Sequence, residues 1–154
     1  METSAPLVVV GTAVPRLGLA VKIQGQARYT ADLKRPGMLY GRVLRSPHAH
    51  ARILRLDTIA AARLPGVHAV LTHQDIPIAR IDPDLAVLDA ELRFVGDEVA
   101  LVAAESEAIA EDALRLIEVE YEVLPAVFDP EEALQPGAPT VHPQGNLVGG
   151  RVPT

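Results

Sequence analysis

Two histidines are the first side chains whose spacing could support chemistry. His48 and His50 are two residues apart, so on a strand both would project from one face and could reach a single metal ion. A metal site needs a third or fourth ligand, and the sequence pattern fixes no further ligand nearby. We therefore favour two histidines of a turn or an interface, hydrogen-bonded after Pro47.

Three glutamates form the second pattern. Glu118, Glu120 and Glu122 alternate with apolar residues and would line one face of a strand. Calcium and magnesium use loop geometries that this pattern lacks, so solvated carboxylates are the favoured interpretation. The sequence also contains no glycine fingerprint for nucleotides and no G-x-S-x-G nucleophile elbow. We therefore assign no catalytic, cofactor-binding or metal-binding residue to this chain.

A group of basic residues remains as a candidate interface. Its members are Arg42, Arg45, His48, His50, Arg52 and Arg55. One interpretation is a surface that binds a partner; the other is exposed charge at strand edges, which discourages aggregation.

Composition restricts the class of protein. The chain has 154 residues, 49% hydrophobic and 22% charged, which is typical of one ordinary globular domain. It contains no cysteine, which excludes disulfides, cysteine nucleophiles and thiolate ligation of zinc or iron–sulfur clusters within the chain. Aromatic residues make up only 3%, so few rings are available for stacking bases or sugars.

Charge is divided unevenly along the chain. Residues 1–55 carry nine lysines or arginines against two acids, and residues 56–154 carry five against eighteen, so the net charge is −6. The favoured interpretation is that the two halves of one fold neutralise each other; the alternative is a basic face for an acidic partner. A net acidic chain also argues against nucleic-acid binding.

The amino-terminal segment predicts neither export nor membrane insertion. The apolar run over residues 7–10 is too short for a signal peptide and lacks a basic segment before it. No stretch approaches the ~18 apolar residues of a membrane span. We expect a cytoplasmic protein.

Periodicity predicts several strands and short helices. The expected strands are residues 38–45, which read as fully buried, together with residues 51–56, 67–71 and 99–104. Asp57 or Thr58 would cap a short helix, and residues 72–75 resemble a capping box for one helical turn. Residues 78–90 read as an exposed loop.

The clearest predicted helix follows Ser106, its expected cap. Its buried stripe would be Ile109, Ala113, Leu116 and Ile117, with Glu111 and Arg115 paired outside. A strand over residues 119–123 follows, so strand, helix and strand predict a right-handed crossover. Beyond Pro125 the chain is rich in proline and glycine and reads as a linker with one helical turn over residues 131–134.

Several segments in order carry a family resemblance. The chain resembles the opening of the large subunit of xanthine dehydrogenases and aldehyde oxidases over roughly residues 11–147. The segments that carry it are Val14-Pro15-Arg16, residues 22–29 with Asp32, residues 36–41, residues 44–53 (LRSPHAHARI), Pro65-Gly66-Val67, Asp75-Ile76-Pro77, Val95-Gly96 with Val99-Ala100, and residues 119–125 (VEYEVLP). Two positions depart from the family pattern, Gly18 and Glu98.

The resemblance implies an α/β hammerhead domain, an α+β fold with a mixed sheet, short helices and one longer crossover helix. It implies an amino-terminal extension over residues 1–13, the hammerhead domain over residues 14–128, and a linker over residues 129–154 toward a molybdopterin-binding region outside this chain.

The resemblance also implies a function. We expect a structural or interface domain of a molybdenum-dependent hydroxylase that acts on aldehydes or heteroaromatic rings and is not catalytic alone. The implied complex holds molybdopterin, [2Fe–2S] clusters and a flavin (FAD) where a flavin subunit is present. Its parts would be the molybdopterin-binding remainder of the large subunit, an iron–sulfur subunit and that flavin subunit. The alternative is a free-standing binding or interaction module with the same fold.

Overall fold

A computed structural model describes residues 11, 13–76, 80–82 and 85–147, and the chain divides into two compact units, residues 1–36 and 37–154. The first unit contains helix α1 (Leu19–Ile23) and a 3₁₀ turn (Thr30–Asp32), in which the Asp32 carboxylate accepts a hydrogen bond from the Tyr29 N–H at 3.0 Å. None of its described residues is buried. The sequence pattern predicted neither element.

The second unit contains three small sheets and three short helices among its described residues. In chain order the elements are β1 (Tyr40–Arg45), β2 (Ala51–Asp57), α2 (Ile59–Ala62), β3 (Val67–Thr72), β4 (Arg80–Asp82), β5 (Leu85–Ala86), β6 (Glu91–Leu92), β7 (Glu98–Ala104), α3 (Glu107–Arg115), β8 (Glu118–Val123) and α4 (Pro130–Ala133). Sheet 1 has the order β1-β7-β3, sheet 2 has the order β6-β2-β8, and β4 pairs with β5. Every described pairing is antiparallel. The predicted α+β class is confirmed.

Helix α3 connects the two larger sheets. The strand, helix and strand pattern predicted a right-handed crossover. The rule behind that prediction applies to parallel strands of one sheet. Strand β7 already has β1 and β3 on its two edges, so β8 cannot pair with it and instead joins β2 in sheet 2. The longest described helix therefore crosses from one antiparallel sheet to another.

One apolar cluster lies between sheet 1 and the helices. It is built from small residues, with Ala100 and Val102 of β7 against Ala110 and Ala113 of α3. The Ser106 hydroxyl accepts a hydrogen bond from the third amide of α3 at 3.2 Å, so the predicted cap is confirmed.

The predicted stripe of α3 is wrong at one position. Leu116 is 40% exposed, because the buried face is the one that carries Ala110, Ala113 and Ile117, and Leu116 lies at the edge of that face. Ala110, which the predicted stripe omitted, is fully buried. The predicted ion pair of Glu111 with Arg115 is present at 3.7 Å, and Arg115 lies closer to Asp112, at 2.6 Å.

A second apolar cluster joins Ile53 and Leu92 of sheet 2 to Val99 of sheet 1. Three half-buried side chains pack against both clusters: Leu44, Leu56 and Val119. The two sheets of this unit therefore share part of their cores.

The prediction of an exposed loop over residues 78–90 is wrong for the part that the structure describes. The described part contains the β4–β5 hairpin, and Ala86 and Leu88 are buried at 8% and 4% exposure. Pro83 and three aspartates favoured a loop, although residues 85–88 (LAVL) form an apolar run.

Residues 72–75 form a hydrogen-bonded turn in place of the predicted helical turn. The Asp75 carboxylate accepts hydrogen bonds from the Thr72 N–H at 2.8 Å and the Thr72 hydroxyl at 2.7 Å. Both bonds hold the pKa of Asp75 below its ordinary value, and the bond from the Thr72 hydroxyl has the larger effect. The capping contacts form, but the described residues 73–76 are a turn and a bend and not a helix.

The segment after β8 is organised by one asparagine. Asp129 caps α4 by accepting hydrogen bonds from two backbone amides, close to where the sequence predicted a helical turn. The Asn146 amide donates to the carbonyl oxygens of Ala133 and Pro139 and accepts from the Val141 N–H, each at 3.0 Å or less.

The predicted limits of the hammerhead domain, between residues 13 and 14 and between residues 128 and 129, stay predictions.

Candidate functional site

The two arginines of β1 each contact acidic residues from later in the chain. Arg42 donates to the Glu107 carboxylate at 2.6 Å and lies 3.7 Å from Glu111, so it joins β1 to α3. Arg45 donates to the Gly96 carbonyl oxygen at 2.6 Å and to the Glu98 carboxylate at 3.0 Å. Both side chains are held by the domain itself.

A β-bulge positions the two arginines of β2. Arg52 lies opposite Glu122 and Arg55 lies opposite Glu120 on β8, although the arginines are three residues apart and the glutamates two. The extra residue is Leu54, so the two arginines fall on the same side of the strand pair. Arg52 donates to Glu122 at 2.8 Å.

Arg55 donates to the Asp57 carboxylate at 3.1 Å on its own strand. Asp57 also accepts a hydrogen bond from the Ile59 N–H. This bond is the main reason why the pKa of Asp57 lies below its ordinary value, and Arg55 adds to the effect. Of the two predicted capping residues, Asp57 is therefore the one whose side chain caps α2.

The two histidines precede β2 in a bent segment and do not lie on a strand. His50 is 5% exposed; its Nδ1 lies 2.7 Å from the Pro125 carbonyl oxygen, and its Nε2 lies 3.4 Å from the Glu91 carboxylate. His48 places its ring edge-on to Tyr121, with centroids 5.1 Å apart. His50 is thus a hydrogen-bonded turn residue, as the favoured interpretation predicted.

The four arginines of the candidate interface are divided between the two larger sheets. Arg42 and Arg45 belong to sheet 1, and Arg52 and Arg55 to sheet 2. Each of the four arginines is paired with an acid from residues 56–154. This pattern supports neutralisation between the two halves of the chain as the reason for the uneven charge. Exposed pairs of this kind contribute roughly 0–1 kcal/mol each.

A buried network that the sequence analysis missed lies before β7. The Asp97 carboxylate accepts hydrogen bonds from the Arg93 N–H at 2.8 Å and the Glu98 N–H at 3.0 Å. Burial nevertheless raises the pKa of Asp97. The Arg93 guanidinium donates a hydrogen bond to the Asp89 carboxylate. Burial acts to raise the pKa of Asp89, but the hydrogen bonds from Arg93 and from the Glu91 N–H outweigh it and lower that pKa. These groups are used in holding the loop together.

An apolar groove of about 350 Å³ lies on the face of sheet 1 away from α3. Its lining residues are Gly41, Arg42, Val43, Ala69, Leu71, Leu101, Val102 and Ala103. The prediction of a fully buried strand over residues 38–45 is therefore wrong: β1 begins at Tyr40 and is at most half-buried. Helices cover one face of the sheet, while the other face carries the groove.

Two kinds of feature, a metal site and a membrane-spanning helix, were sought among the described residues. Within it, no three histidine or acidic side chains come together in a way that could hold a metal ion. Over the same residues, no helix is long and apolar enough to cross a membrane.

Comparison with known proteins matches this chain to one family. The family described as "Aldehyde oxidase and xanthine dehydrogenase, a/b hammerhead domain" matches residues 24–125. A probable xanthine dehydrogenase subunit of Bacillus subtilis is 48% identical over 132 residues, which cover 82% of this chain and 18% of that protein. The carbon monoxide dehydrogenase large chain of Afipia carboxidovorans is 44% identical over 124 residues, which cover 75% of this chain and 15% of that protein.

Solved structures agree. A Cu,Mo-CO dehydrogenase superimposes with a TM-score of 0.79 at 42% identity, over 87% of this chain and 18% of that chain. Quinoline 2-oxidoreductase from Pseudomonas putida 86 gives 0.76 at 41% identity, over 88% of this chain and 19% of that chain. The chain therefore spans about a fifth of the length of the relatives it matches, and the predicted hammerhead fold is confirmed.

Proposed function

Because this chain belongs to the aldehyde oxidase and xanthine dehydrogenase family, as a hammerhead domain of its large subunit, we propose that it is the structural and interface domain of a molybdenum-dependent hydroxylase. It does not catalyse the reaction alone. The whole enzyme would oxidise aldehydes or heteroaromatic rings. The observation that carries this proposal is the family match over residues 24–125 in a chain about one fifth as long as its relatives.

The residues present do not fit the cofactors of such an enzyme. The chain has no cysteine to ligate an iron–sulfur cluster. The groove on sheet 1 is lined mainly by aliphatic side chains, whereas a pterin is a polar ring system that needs hydrogen-bond partners. We therefore place molybdopterin, [2Fe–2S] clusters and FAD on other parts of the complex and derive no catalytic step through them.

The proposed partners follow from this division of labour. They are the molybdopterin-binding remainder of the large subunit, an iron–sulfur subunit and, where present, a flavin subunit. One relative is named a molybdenum-binding subunit, and this chain covers 20% of it. The cytoplasmic location expected from the sequence stays a prediction.

The proposal is tested by purifying the chain from its source under native conditions. We expect it to co-purify, as part of the same polypeptide or complex, with a larger protein that contains molybdenum and iron. Native mass spectrometry and metal analysis measure both. A lone monomer of 16.4 kDa without either metal would refute the proposal.

The alternative, a free-standing interaction module, would use the basic residues named above. The internal pairing of its four arginines weakens this alternative, since an arginine must leave its own acid before it can bind another. A monomer that binds one specific partner, and loses it when Arg45 and Arg52 are replaced by glutamate at unchanged stability, would favour it.

A further inference from the structure

The uncovered face of sheet 1 consists of two cross-strand rows. Strand pairing places Val43, Leu101 and Leu71 in one row, and Gly41, Ala103 and Ala69 in the next. Since neighbouring strands lie about 4.8 Å apart, each row spans about 10 Å across the sheet. A ridge of larger aliphatic side chains thus runs beside a trough of very small ones, and together they form the groove of about 350 Å³.

This face differs in charge from the outer side of the other sheet. On sheet 2 the strand pair β2–β8 presents Arg52, Arg55 and the glutamates opposite them, which suit water. On sheet 1 the two rows contain no charged residue. Arg42 borders the groove, but its guanidinium is bound to Glu107 on α3. Charged side chains are typical of a solvated surface, and the two rows on sheet 1 contain none.

We propose that this face of sheet 1 is the docking surface for an apolar, uncharged segment of the large-subunit polypeptide outside the hammerhead domain. The inference rests on the proposed function and adds to it the surface and the chemistry of its partner. Relatives that share the fold carry it within chains about five times as long, so most of their polypeptide is available to cover this face. The trough admits large aliphatic or aromatic side chains between the ridge and the sheet edge.

A chimera tests the proposal in a full-length large subunit. The matching 132-residue segment of the Bacillus subtilis relative is replaced by the corresponding residues of this chain. Leu71→Arg then puts a charge on the ridge, and Ala103→Phe fills the trough. Leu54→Arg is the matched control, because Leu54 is a 58% exposed aliphatic residue on sheet 2, outside the groove. The same variants are made in the 154-residue chain.

We expect Leu71→Arg and Ala103→Phe to shorten the half-life of the chimera under limited proteolysis by about tenfold or more, since a charge or a clash is forced into an apolar contact. Leu54→Arg should change it by less than about twofold. In the chain alone, all three variants should unfold like the parent, because no described residue of the second unit covers the groove.

Four results would overturn the proposal. The chimera could tolerate the two groove variants as well as the control, which would show that nothing docks there. The chain alone could lose stability equally, which would make the face part of its own fold. Light scattering could show a dimer that Leu71→Arg dissociates, which would make a second copy the occupant. Finally, an insoluble parent chimera would refute the proposed function, and this inference with it.

Discussion

Gly66 should be the glycine whose replacement by alanine is most costly, for two separable reasons. Its φ of +87° lies in the left-handed region, where an L side chain costs about 1–2 kcal/mol. A Cβ there would also lie 2.8 Å from the Ile109 Cδ1 on α3, so Ile109 must leave its preferred rotamer at about 0.5–1.5 kcal/mol. Gly66→Ala should therefore lower the free energy of unfolding by about 1.5–3.5 kcal/mol.

Two further variants separate these contributions. Gly96 has a φ of +96° with open space where its Cβ would go, so Gly96→Ala measures backbone strain alone, about 1–2 kcal/mol. Ile109→Val removes Cδ1, and in that background Gly66→Ala should cost no more than Gly96→Ala does. The coupling energy between the two sites should therefore be about 0.5–1.5 kcal/mol.

Urea and thermal unfolding followed by circular dichroism measure all of these values. A difference of 1 kcal/mol corresponds to roughly 2–4 °C in Tm for a chain of this size. Equal costs at Gly66 and Gly96, or a Gly66→Ala cost that Ile109→Val leaves unchanged, would refute the close contact between the β3 turn and α3.

Three further outcomes are expected. Ser106→Ala removes the cap of α3 and should cost about 1 kcal/mol in urea unfolding; an unchanged midpoint would contradict the cap. Arg52→Glu should lower Tm slightly through repulsion from Glu122, and the exchanged pair Arg52→Glu with Glu122→Arg should restore it; a double variant no better than the single one would contradict the cross-strand pair. Asp75→Asn should destabilise the chain at neutral pH, because the depressed pKa means that the carboxylate's bonds to Thr72 stabilise the fold above the ordinary value of 3.8. That difference should shrink as the pH falls through the lower folded-state pKa, and a pH-independent difference would contradict this role.

Local patterns were sufficient for most elements of the fold. The cap at Ser106, the strand β2 and the strand–helix–strand order from β7 to β8 each depend on neighbours within a few residues. The sheet to which a strand belongs is not set by such local neighbours, because whether β8 joins β7 or β2 depends on which strand edges are already occupied. The buried Leu88 was missed because Pro83 and the nearby aspartates favoured an exposed loop, although Leu88 ends an apolar run over residues 85–88.

The candidate site shows the same limit. Residue type identified the arginines, but their partners lie far away in sequence, as Arg42 and Glu107 do, 65 residues apart. The bulge at Leu54, which places Arg55 opposite Glu120, leaves no signature in composition. The apolar groove was hidden because an apolar strand reads alike whether one face or both are covered. Family resemblance supplied the identity of the domain, and geometry supplied the surface on which it is proposed to act.

The side chains shared by the two apolar clusters have a consequence for folding. Leu44, Leu56 and Val119 pack against both, so separating the sheets would expose apolar surface in each cluster at once. Neither sheet can open while the other keeps its full stability, and slow amide hydrogen exchange should report one common opening energy for β2 and β7. We therefore expect sheets 1 and 2 to unfold as a single cooperative unit.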